Sequence, residues 1–201
     1  MKLYYSPPSP FSRKARIVAS VLGLDERIEL VVADTNNPDD ALRAKNPLGK
    51  IPTLELDTGV CVYDSAVIVA CLDQLAGGGK VIPRDGDARI AALTLEALAD
   101  GVMDACILQI YEIRMRAENE RSASWVAHQR AKAFRALAFL EAEPPAEDFA
   151  QIGQIALACA LGYLDLRKQV AWRSEIPALA PWLDAFRASH PEFDATRPPE
   201  G

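Results

Sequence analysis

The chain has 201 residues, half of them hydrophobic, and a formal net charge of −6. This composition suits a packed globular protein, and the acidic balance argues against a nucleic acid partner, because binding phosphate needs a basic surface. No window holds the roughly 18 uninterrupted apolar residues of a membrane-spanning helix, and the polar, Pro-rich start predicts no signal peptide. We therefore expect no membrane partner.

The four cysteines lie far apart in apolar segments and form no C-x-x-C pair. Such residues behave as small buried hydrophobes, and thiols stay reduced in the cytoplasm, which is the location that we expect. No metal site is expected, because His128 and His190 are the only imidazoles and neither has a cysteine at ligand spacing. The cysteines are Cys61, Cys71, Cys106 and Cys159.

The first part of the chain alternates strand and helix signals. A short run of β-formers at 2–5 ends at prolines, and Ser9 followed by Pro10 is typical of a helix N-cap and first helical position. A turn at 57–59 between two strand signals indicates a hairpin. We predict strands at 2–5, 28–32, 53–56 and 60–63, and helices at 10–22, 38–44 and 65–75.

After residue 87 strand signals nearly vanish and helical periodicity takes over. We predict helices at 88–118, 124–141, 152–165 and 177–189, the third apolar on nearly all sides and therefore buried. The predicted fold class is an α/β domain of order βαβαββα at 1–77, a linker at 78–87 and an all-helical domain at 88–201. The cleft between the domains is where we expect a ligand.

The stretch 49–65 carries the strongest functional signal. Pro52 stands directly before a strand, and proline adopts a cis peptide bond at low cost and donates no backbone hydrogen. Its neighbour Ile51 can therefore keep its main-chain groups unpaired and available to an extended peptide. Asp64 and Ser65 open a helix whose free amides and dipole attract a carboxylate. Together these features indicate a small acidic peptide as ligand.

Four segments, in this order and spacing, resemble the cytosolic glutathione S-transferase family over essentially the whole chain. The C-terminal half is similar to a bacterial branch of that family at 155–167 (IALACALGYLDLR) and at the ending from 182 to 199. The resemblance implies a thioredoxin-like N-terminal domain, a helical C-terminal domain, a homodimer and a serine-type active site, as in theta-, zeta- or tau-like members. The four segments are 2–5 (KLYY), 9–14 (SPFSRK), 46–54 (NPLGKIPTL) and 64–68 (DSAVI).

The resemblance also implies roles for individual residues. Glutathione would be the co-substrate, and the main chain of Ile51, before a cis Pro52, would pair with its cysteinyl unit. Asp64 and Ser65 would hold the γ-glutamyl end, and Lys50 would reach the glycyl carboxylate. The implied glutathione-binding set is Phe11, Lys50, Ile51, Pro52, Asp64 and Ser65.

Catalysis by such a site depends on the thiolate, because a free thiol has a pKa of about 8.5 and the thiolate is the nucleophile. A hydroxyl that donates to sulfur favours the charged form, and a helix N-terminus adds about 0.3–1 kcal/mol. The resemblance puts Ser9 beside the sulfur, with Tyr5 as the alternative donor and Ser6 and Ser12 as lesser candidates. No cysteine stands at 9–11, which disfavours thiol–disulfide exchange.

The second substrate would be a small hydrophobic electrophile bound between the first helix and the long helix that begins near residue 88. Candidate residues recur at helical spacing, and packing inside the helical domain is the alternative explanation for each. Tyr111 and Arg114 pair apolar stems with polar tips, and Trp172 is a further candidate. The pocket set is Pro10, Met103, Ile107, Tyr111 and Arg114, with Phe11, Cys106 and Ile110 beside them.

Two other functions fit the same resemblance. One is a glutathione-dependent isomerase, dehalogenase or peroxidase, which would differ only in its pocket. The other is a non-catalytic stress or binding protein, which the intact Ile51–Pro52 and Asp64–Ser65 pairs disfavour. The chain departs from the family at Gln151 and Gln154, where a Ser or Thr and an Asp often form a capping box; glutamine is a poorer cap, so we expect a weaker helix start there.

Overall fold

The computed structural model describes residues 1–168 and 171–199; residues 169–170 and the predicted domain end at 201 lie outside that range. Within it, four strands and three α-helices precede six further α-helices. The strands are β1 Lys2–Tyr5, β2 Glu29–Val32, β3 Thr53–Glu55 and β4 Cys61–Val62. The helices are α1 Pro10–Val21, α2 Leu42–Lys45, α3 Ser65–Leu75, α4 Gly86–Arg114, α5 Ala123–Ala142, α6 Ile152–Arg167, α7 Trp172–Glu175, α8 Leu179–Ser189 and α9 Pro191–Ala195.

The strands form one mixed sheet in the order β2-β1-β3-β4. β1 runs parallel to β2 and antiparallel to β3, and β3 and β4 form the hairpin predicted around 57–59. Leu3 and Leu54 pair between β1 and β3 and are 1% and 0% exposed. The sheet therefore turns an apolar face to the core, where α3 packs on β3 and against α1.

α6 forms the centre of the helical half. Its residues from Ile152 to Leu161 are all buried, and the helix packs against α1, α4 and α8. Gly153 permits a close approach to α4, because a Cβ atom there would lie 2.9 Å from the carbonyl oxygen of Ala92. The prediction of a helix buried on most sides is confirmed.

α1 joins the two halves of the molecule, since it packs against α3 on one side and against α6 on the other. Lys14 of α1 has a fully buried side chain, and its Nζ lies 2.9 Å from Glu96 Oε1 and 2.7 Å from Asp100 Oδ2 of α4. Burial lowers the pKa of Lys14, but the two carboxylates outweigh it and leave that pKa raised. Removal of Lys14 would leave two largely buried carboxylates without a compensating charge, which is strongly destabilising.

The linker between α3 and α4 is fixed by one carboxylate. Asp73 Oδ2 accepts a hydrogen bond from the N–H of Gly79 at 2.8 Å, and Oδ1 accepts from the N–H groups of Lys80 and Val81, both at 2.9 Å. The Val81 carbonyl then accepts from the N–H of Ile152, the first residue of α6, at 2.9 Å. The linker thus connects the end of α3 to the start of α6.

The start of α6 departs from a capping box, as the sequence indicates. Gln151 is the N-cap, but its side chain makes no capping hydrogen bond; its Nε2 donates to Asp148 Oδ2 at 2.6 Å instead. Gln154 Nε2 donates to the carbonyl of Ala146 at 3.2 Å. The carbonyl of Val81 instead accepts from the N–H of Ile152, one of the amides at the helix start that have no partner within the helix.

Two predicted helices differ from the observed ones by more than two residues at an end. The helix predicted at 38–44 is wrong in its start, since α2 covers Leu42–Lys45. Asp40 explains this, because its carboxylate accepts from the N–H groups of Asp34 and Leu42, both at 2.8 Å, and such local hydrogen bonds compete with helix. α4 ends at Arg114, before the predicted end at 118, and α7 and α9 were not predicted, being only 4 and 5 residues long.

The cysteines are all free. Burial raises the pKa of both Cys106 and Cys159 to about 12, so these two side chains act as apolar packing groups. No helix in residues 1–168 and 171–199 combines the length and apolarity needed to cross a membrane. The same residues include no group of three or more His, Cys, Asp or Glu side chains that could hold a metal ion.

Candidate functional site

The loop before β3 presents a free main-chain edge. The Ile51–Pro52 peptide bond is cis, as predicted, and no hydrogen bond joins the Ile51 N–H or C=O to another described residue. Asn46, 1% exposed, holds the loop: its Nδ2 donates to the Lys50 carbonyl at 3.0 Å and to Thr53 Oγ1 at 3.1 Å. The edge at Ile51 is therefore both unpaired and fixed in place.

Asp64 and Ser65 form the N-terminus of α3, as predicted. Asp64 is the N-cap, and its Oδ1 accepts from the N–H of Ala66 at 3.2 Å. The Tyr63–Asp64 peptide bond is also cis, which the sequence did not predict. Ser65 is buried and only 4% exposed. The first turn of α3 thus offers main-chain amides and a hydroxyl to an anion.

Ser9 is the N-cap of α1, and its Oγ accepts a hydrogen bond from the N–H of Ser12 at 3.2 Å. An oxygen that accepts in this way keeps its own proton free to donate elsewhere. Tyr5 lies elsewhere, with the Arg16 guanidinium 5.2 Å above its ring. Ser12 is 1% exposed and its Oγ has no hydrogen-bond partner among the described residues.

A cavity of about 780 Å³ lies between the N-terminal domain and α4, α5 and α6. Ser9, Lys50 and Ile51 line one part of it, and Tyr5 does not line it. Pro52, which follows the lining residue Ile51, is not among the lining residues, and neither are Asp64 and Ser65 at the start of α3. The predicted electrophile-pocket residues that line it are Pro10, Phe11, Ile107, Ile110, Tyr111 and Arg114.

Three predicted pocket residues are corrected by the structure. Met103 is 0% exposed, Cys106 1% and Trp172 1%, and all three belong to the hydrophobic core instead of the cavity. Met103 and Cys106 lie on the side of α4 that faces inward, and Trp172 Nε1 donates to Asp165 Oδ1 at 2.8 Å. The alternative explanation, packing inside the helical domain, is the correct one for these residues.

Asp104 is a cavity residue that the sequence reasoning missed. Burial raises the pKa of its carboxyl, Lys50 opposes that shift, and the negative charge of Asp64 adds to it. Asp104 and Lys50 line the same cavity from the two halves of the chain. Its position one turn before Ile107, on the stripe that continues to Tyr111, was a usable signal.

The other cavity residues that the sequence does not predict include Gln129 and Lys132 of α5 and Tyr163 and Arg167 of α6. Burial raises the pKa of Tyr163, while the nearby Arg167 guanidinium opposes the shift. The sequence holds no local signal for these four residues, because only the packing of α5 and α6 against α4 brings them to the cavity.

Two family models match the chain. The model described as "Glutathione S-transferase, N-terminal domain" matches residues 8–75, and the model described as "Glutathione S-transferase, C-terminal domain" matches residues 123–185. Together these ranges cover more than half of the 201 residues. A curated relative from Escherichia coli (strain K12), named "Uncharacterized GST-like protein YibF", is 32% identical over 205 residues. The alignment covers 100% of this chain and 100% of the relative.

Solved structures of similar chains indicate the same family as the two family models. A glutathione transferase family member from Pseudomonas fluorescens Pf-5 with bound glutathione is 46% identical, with a TM-score of 0.92 and 98% of each chain covered. A second structure of a Pf-5 family member, with bound S-(propanoic acid)-glutathione, is 44% identical, with a TM-score of 0.88 over 98% of this chain and 99% of that one. The predicted thioredoxin-like domain followed by a helical domain is confirmed, and the chain belongs to the glutathione S-transferase family.

Proposed function

We propose that the protein is a glutathione transferase that binds glutathione, stabilises its thiolate with Ser9 and conjugates it to a small electrophile with an apolar body. One observation carries the proposal. The Ser9 hydroxyl, the unpaired main chain of Ile51 and the ammonium of Lys50 meet in a single cavity between the two halves of the chain.

Glutathione in this proposal lies extended between the loop at Ile51 and the start of α3. Its cysteinyl unit pairs with the Ile51 main chain, next to the cis Pro52. The γ-glutamyl carboxylate meets the amides and hydroxyl at Ser65, and its ammonium meets Asp64. Lys50 reaches the glycyl carboxylate, and these charge-assisted contacts are the stronger class of hydrogen bond.

Ser9 is the proposed thiolate donor. A hydrogen bond to a charged group contributes about 1.5–3 kcal/mol, and the N-terminus of α1 contributes about 0.3–1 kcal/mol more. At about 1.4 kcal/mol per unit, these contributions lower the thiol pKa by about one to three units. The location of Tyr5 outside the cavity supports Ser9 over Tyr5.

The electrophile is proposed to bind beside the sulfur, against Pro10 and Phe11 of α1 and Ile107, Ile110 and Tyr111 of α4. Holding it there supplies the orientation on which the rate depends. The Pf-5 relative with bound S-(propanoic acid)-glutathione, a thioether of glutathione, supports addition of the sulfur to carbon.

The proposal includes a homodimer in the cytoplasm, with domains at 1–77 and 88–201 joined by the linker at 78–87. Ile90 and Phe139 are 65% and 70% exposed and line an apolar groove between α4 and α5, which supports burial against a second copy. The free cysteines support a reducing compartment. Light scattering tests the dimer, and the mass of a single chain would contradict it.

The enzymatic proposal is tested by titration calorimetry with glutathione and by conjugation of glutathione to chlorodinitrobenzene. We expect saturable 1:1 binding and a rate well above the uncatalysed reaction. Absence of binding would contradict the whole site. Binding without turnover of aryl halides or unsaturated carbonyl compounds would favour a non-catalytic role.

A further inference from the structure

The part of the cavity lining that the helical half contributes has a regular polar pattern. Each of three helices presents a hydrogen-bond donor and, three or four residues later, a cation, so that each pair lies on one helix face. All six side chains line the cavity. We call this surface the basic wall, and it consists of Tyr111 and Arg114, Gln129 and Lys132, and Tyr163 and Arg167.

The basic wall is positively charged, whereas the protein as a whole carries a negative net charge. The chain carries a net charge of −6, yet the described residues that line the cavity include four cations and one acid, Asp104. Lys50 lines the same cavity as that acid and opposes the rise that burial causes in its pKa. Within 1–168 and 171–199, Arg114, Lys132 and Arg167 make no salt bridge. Three positive charges therefore face the cavity without an internal counter-charge.

Two nitrogen donors in the basic wall are also unsatisfied. Gln129 is 1% exposed, and its Nε2 has no hydrogen-bond partner among the described residues. The buried Nε of Arg167 has none either. Buried donors are rarely left unpaired in proteins, so an acceptor brought by a ligand is the missing component.

Helix dipoles explain only part of this pattern. Arg114 and Arg167 lie in the last turns of α4 and α6, where a cation is favourable without any ligand. Lys132 and Gln129 lie in the middle of α5, whose ends are at Ala123 and Ala142. The dipole gives no reason for a lysine and a buried amide there, and these two residues carry the argument.

Building on the proposed glutathione transferase function, we propose that the electrophile carries a carboxylate, which the basic wall binds. Along α4, Asp104 and Arg114 are separated by about 15 Å at 1.5 Å per residue, and Ile107 and Leu108 line the cavity between them. The substrate is thus an anionic electrophile with its reactive carbon at the sulfur, its apolar body against Ile107 and Leu108, and its carboxylate at Lys132.

The reaction balances without a further reactant. Glutathione releases its thiol proton to water, and the thiolate attacks the β-carbon of an unsaturated carbonyl group in a substrate that carries its carboxylate at the other end. The carbon–sulfur bond forms as the π electron pair moves toward the α-carbon, which takes a proton from water. With a halogenated aromatic acid, the same attack breaks the carbon–halogen bond and the halide leaves with its electron pair.

Turnover is tested with chlorodinitrobenzoate and its methyl ester, each rate divided by its uncatalysed rate. We expect the wild type to favour the acid by about tenfold or more, as charge-assisted hydrogen bonds imply. Lys132→Gln should lower this acid-to-ester ratio by about threefold to tenfold. Arg135→Gln is the matched control, because Arg135 is exposed on α5 and does not line the cavity. A wild-type ratio of one, or equal ratios in both variants, would overturn the proposal.

A binding experiment separates this proposal from the proposed function. S-carboxypentylglutathione should bind at least about tenfold more tightly than S-hexylglutathione, with an advantage that falls in high salt and in Lys132→Gln. This preference without conjugation would overturn the transferase activity and support the anion site. Conjugation of the ester without this binding preference would support the transferase activity and overturn the anion site. If neither the conjugation nor the preference is observed, both proposals are overturned.

Discussion

The carboxylate of Asp73 accepts a hydrogen bond from the N–H of Val81 at 2.9 Å, and the carbonyl of Val81 accepts one from the N–H of Ile152 at the same distance. Asp73 is 5% exposed and also accepts from Gly79 and Lys80. A single side chain near the end of α3 thereby fixes the segment that leads to the first turn of α6.

Asp73→Asn should destabilise the protein. An amide of the same shape turns a donor toward N–H groups, so that at least one buried donor loses its acceptor. We expect the free energy of unfolding to fall by about 2–3 kcal/mol, measured by urea denaturation. Asp39→Asn is the matched control, since Asp39 is exposed, and equal effects of the two substitutions would contradict this role.

Ser9→Ala should lower kcat/KM for conjugation by about 10- to 100-fold. Without the hydroxyl donor the thiolate is less stable, so that the pKa of bound glutathione rises and the pH–rate profile moves to higher pH. The ultraviolet absorbance of the thiolate, followed as a function of pH, measures this shift directly.

Ser9→Thr and Tyr5→Phe are the controls for that experiment. Threonine keeps both the hydroxyl and the N-cap, so Ser9→Thr should retain most of the activity. Tyr5→Phe should have little effect, because Tyr5 does not line the cavity. A large loss in Tyr5→Phe together with full activity in Ser9→Ala would assign the thiolate to Tyr5.

Asn46→Ala should weaken glutathione binding although Asn46 is not expected to touch the ligand. The substitution frees the Lys50 carbonyl and Thr53 Oγ1 from their hydrogen bonds with Asn46, so the Ile51 edge loses its fixed position. Thr53→Val removes the other half of the contact. We expect a coupling energy of about 0.5–3 kcal/mol in a double-mutant cycle on glutathione affinity, and strict additivity would contradict the link.

Asp100 should make stability fall as the pH rises. Burial raises its pKa from the ordinary 3.8 to about 6, against the opposing effect of Lys14. Lys14 has two carboxylate partners and so keeps a raised pKa, whereas Asp100 shares that lysine with Glu96. The folded protein thus holds the Asp100 proton more tightly than the unfolded chain, and the associated stability is lost as the pH passes through about 6.

The measurement compares the wild type with Asp100→Asn. From about pH 4 to about pH 7 the stability of the wild type relative to the variant should fall, by up to about 3 kcal/mol. Asp87→Asn, in the exposed first turn of α4, should show no such trend. If pairing with Lys14 outweighed burial, the relative stability of the wild type would rise with pH instead.

The sequence predicts α1 and α3 to within a residue because each begins at a side-chain cap, Ser9 or Asp64, that stops helix formation in the N-terminal direction. It also predicts the cis bond at Pro52, through a family resemblance and not through local chemistry. It does not separate Met103 from Ile107, because the core and the cavity both favour apolar residues at helical spacing. The sequence does not predict that Lys132 lines the cavity, since only tertiary packing brings α5 there.

The hydrogen bond from Ile152 to Val81 has a consequence for engineered hybrids of this enzyme. If two related sequences were joined at a point in the linker after Val81, the Val81 carbonyl would come from one parent. The helix α6, whose first amide donates to that carbonyl, would come from the other parent. The natural exchangeable cassette begins ahead of α3 and runs through α6, so that Asp73, the linker and the helix start are inherited together.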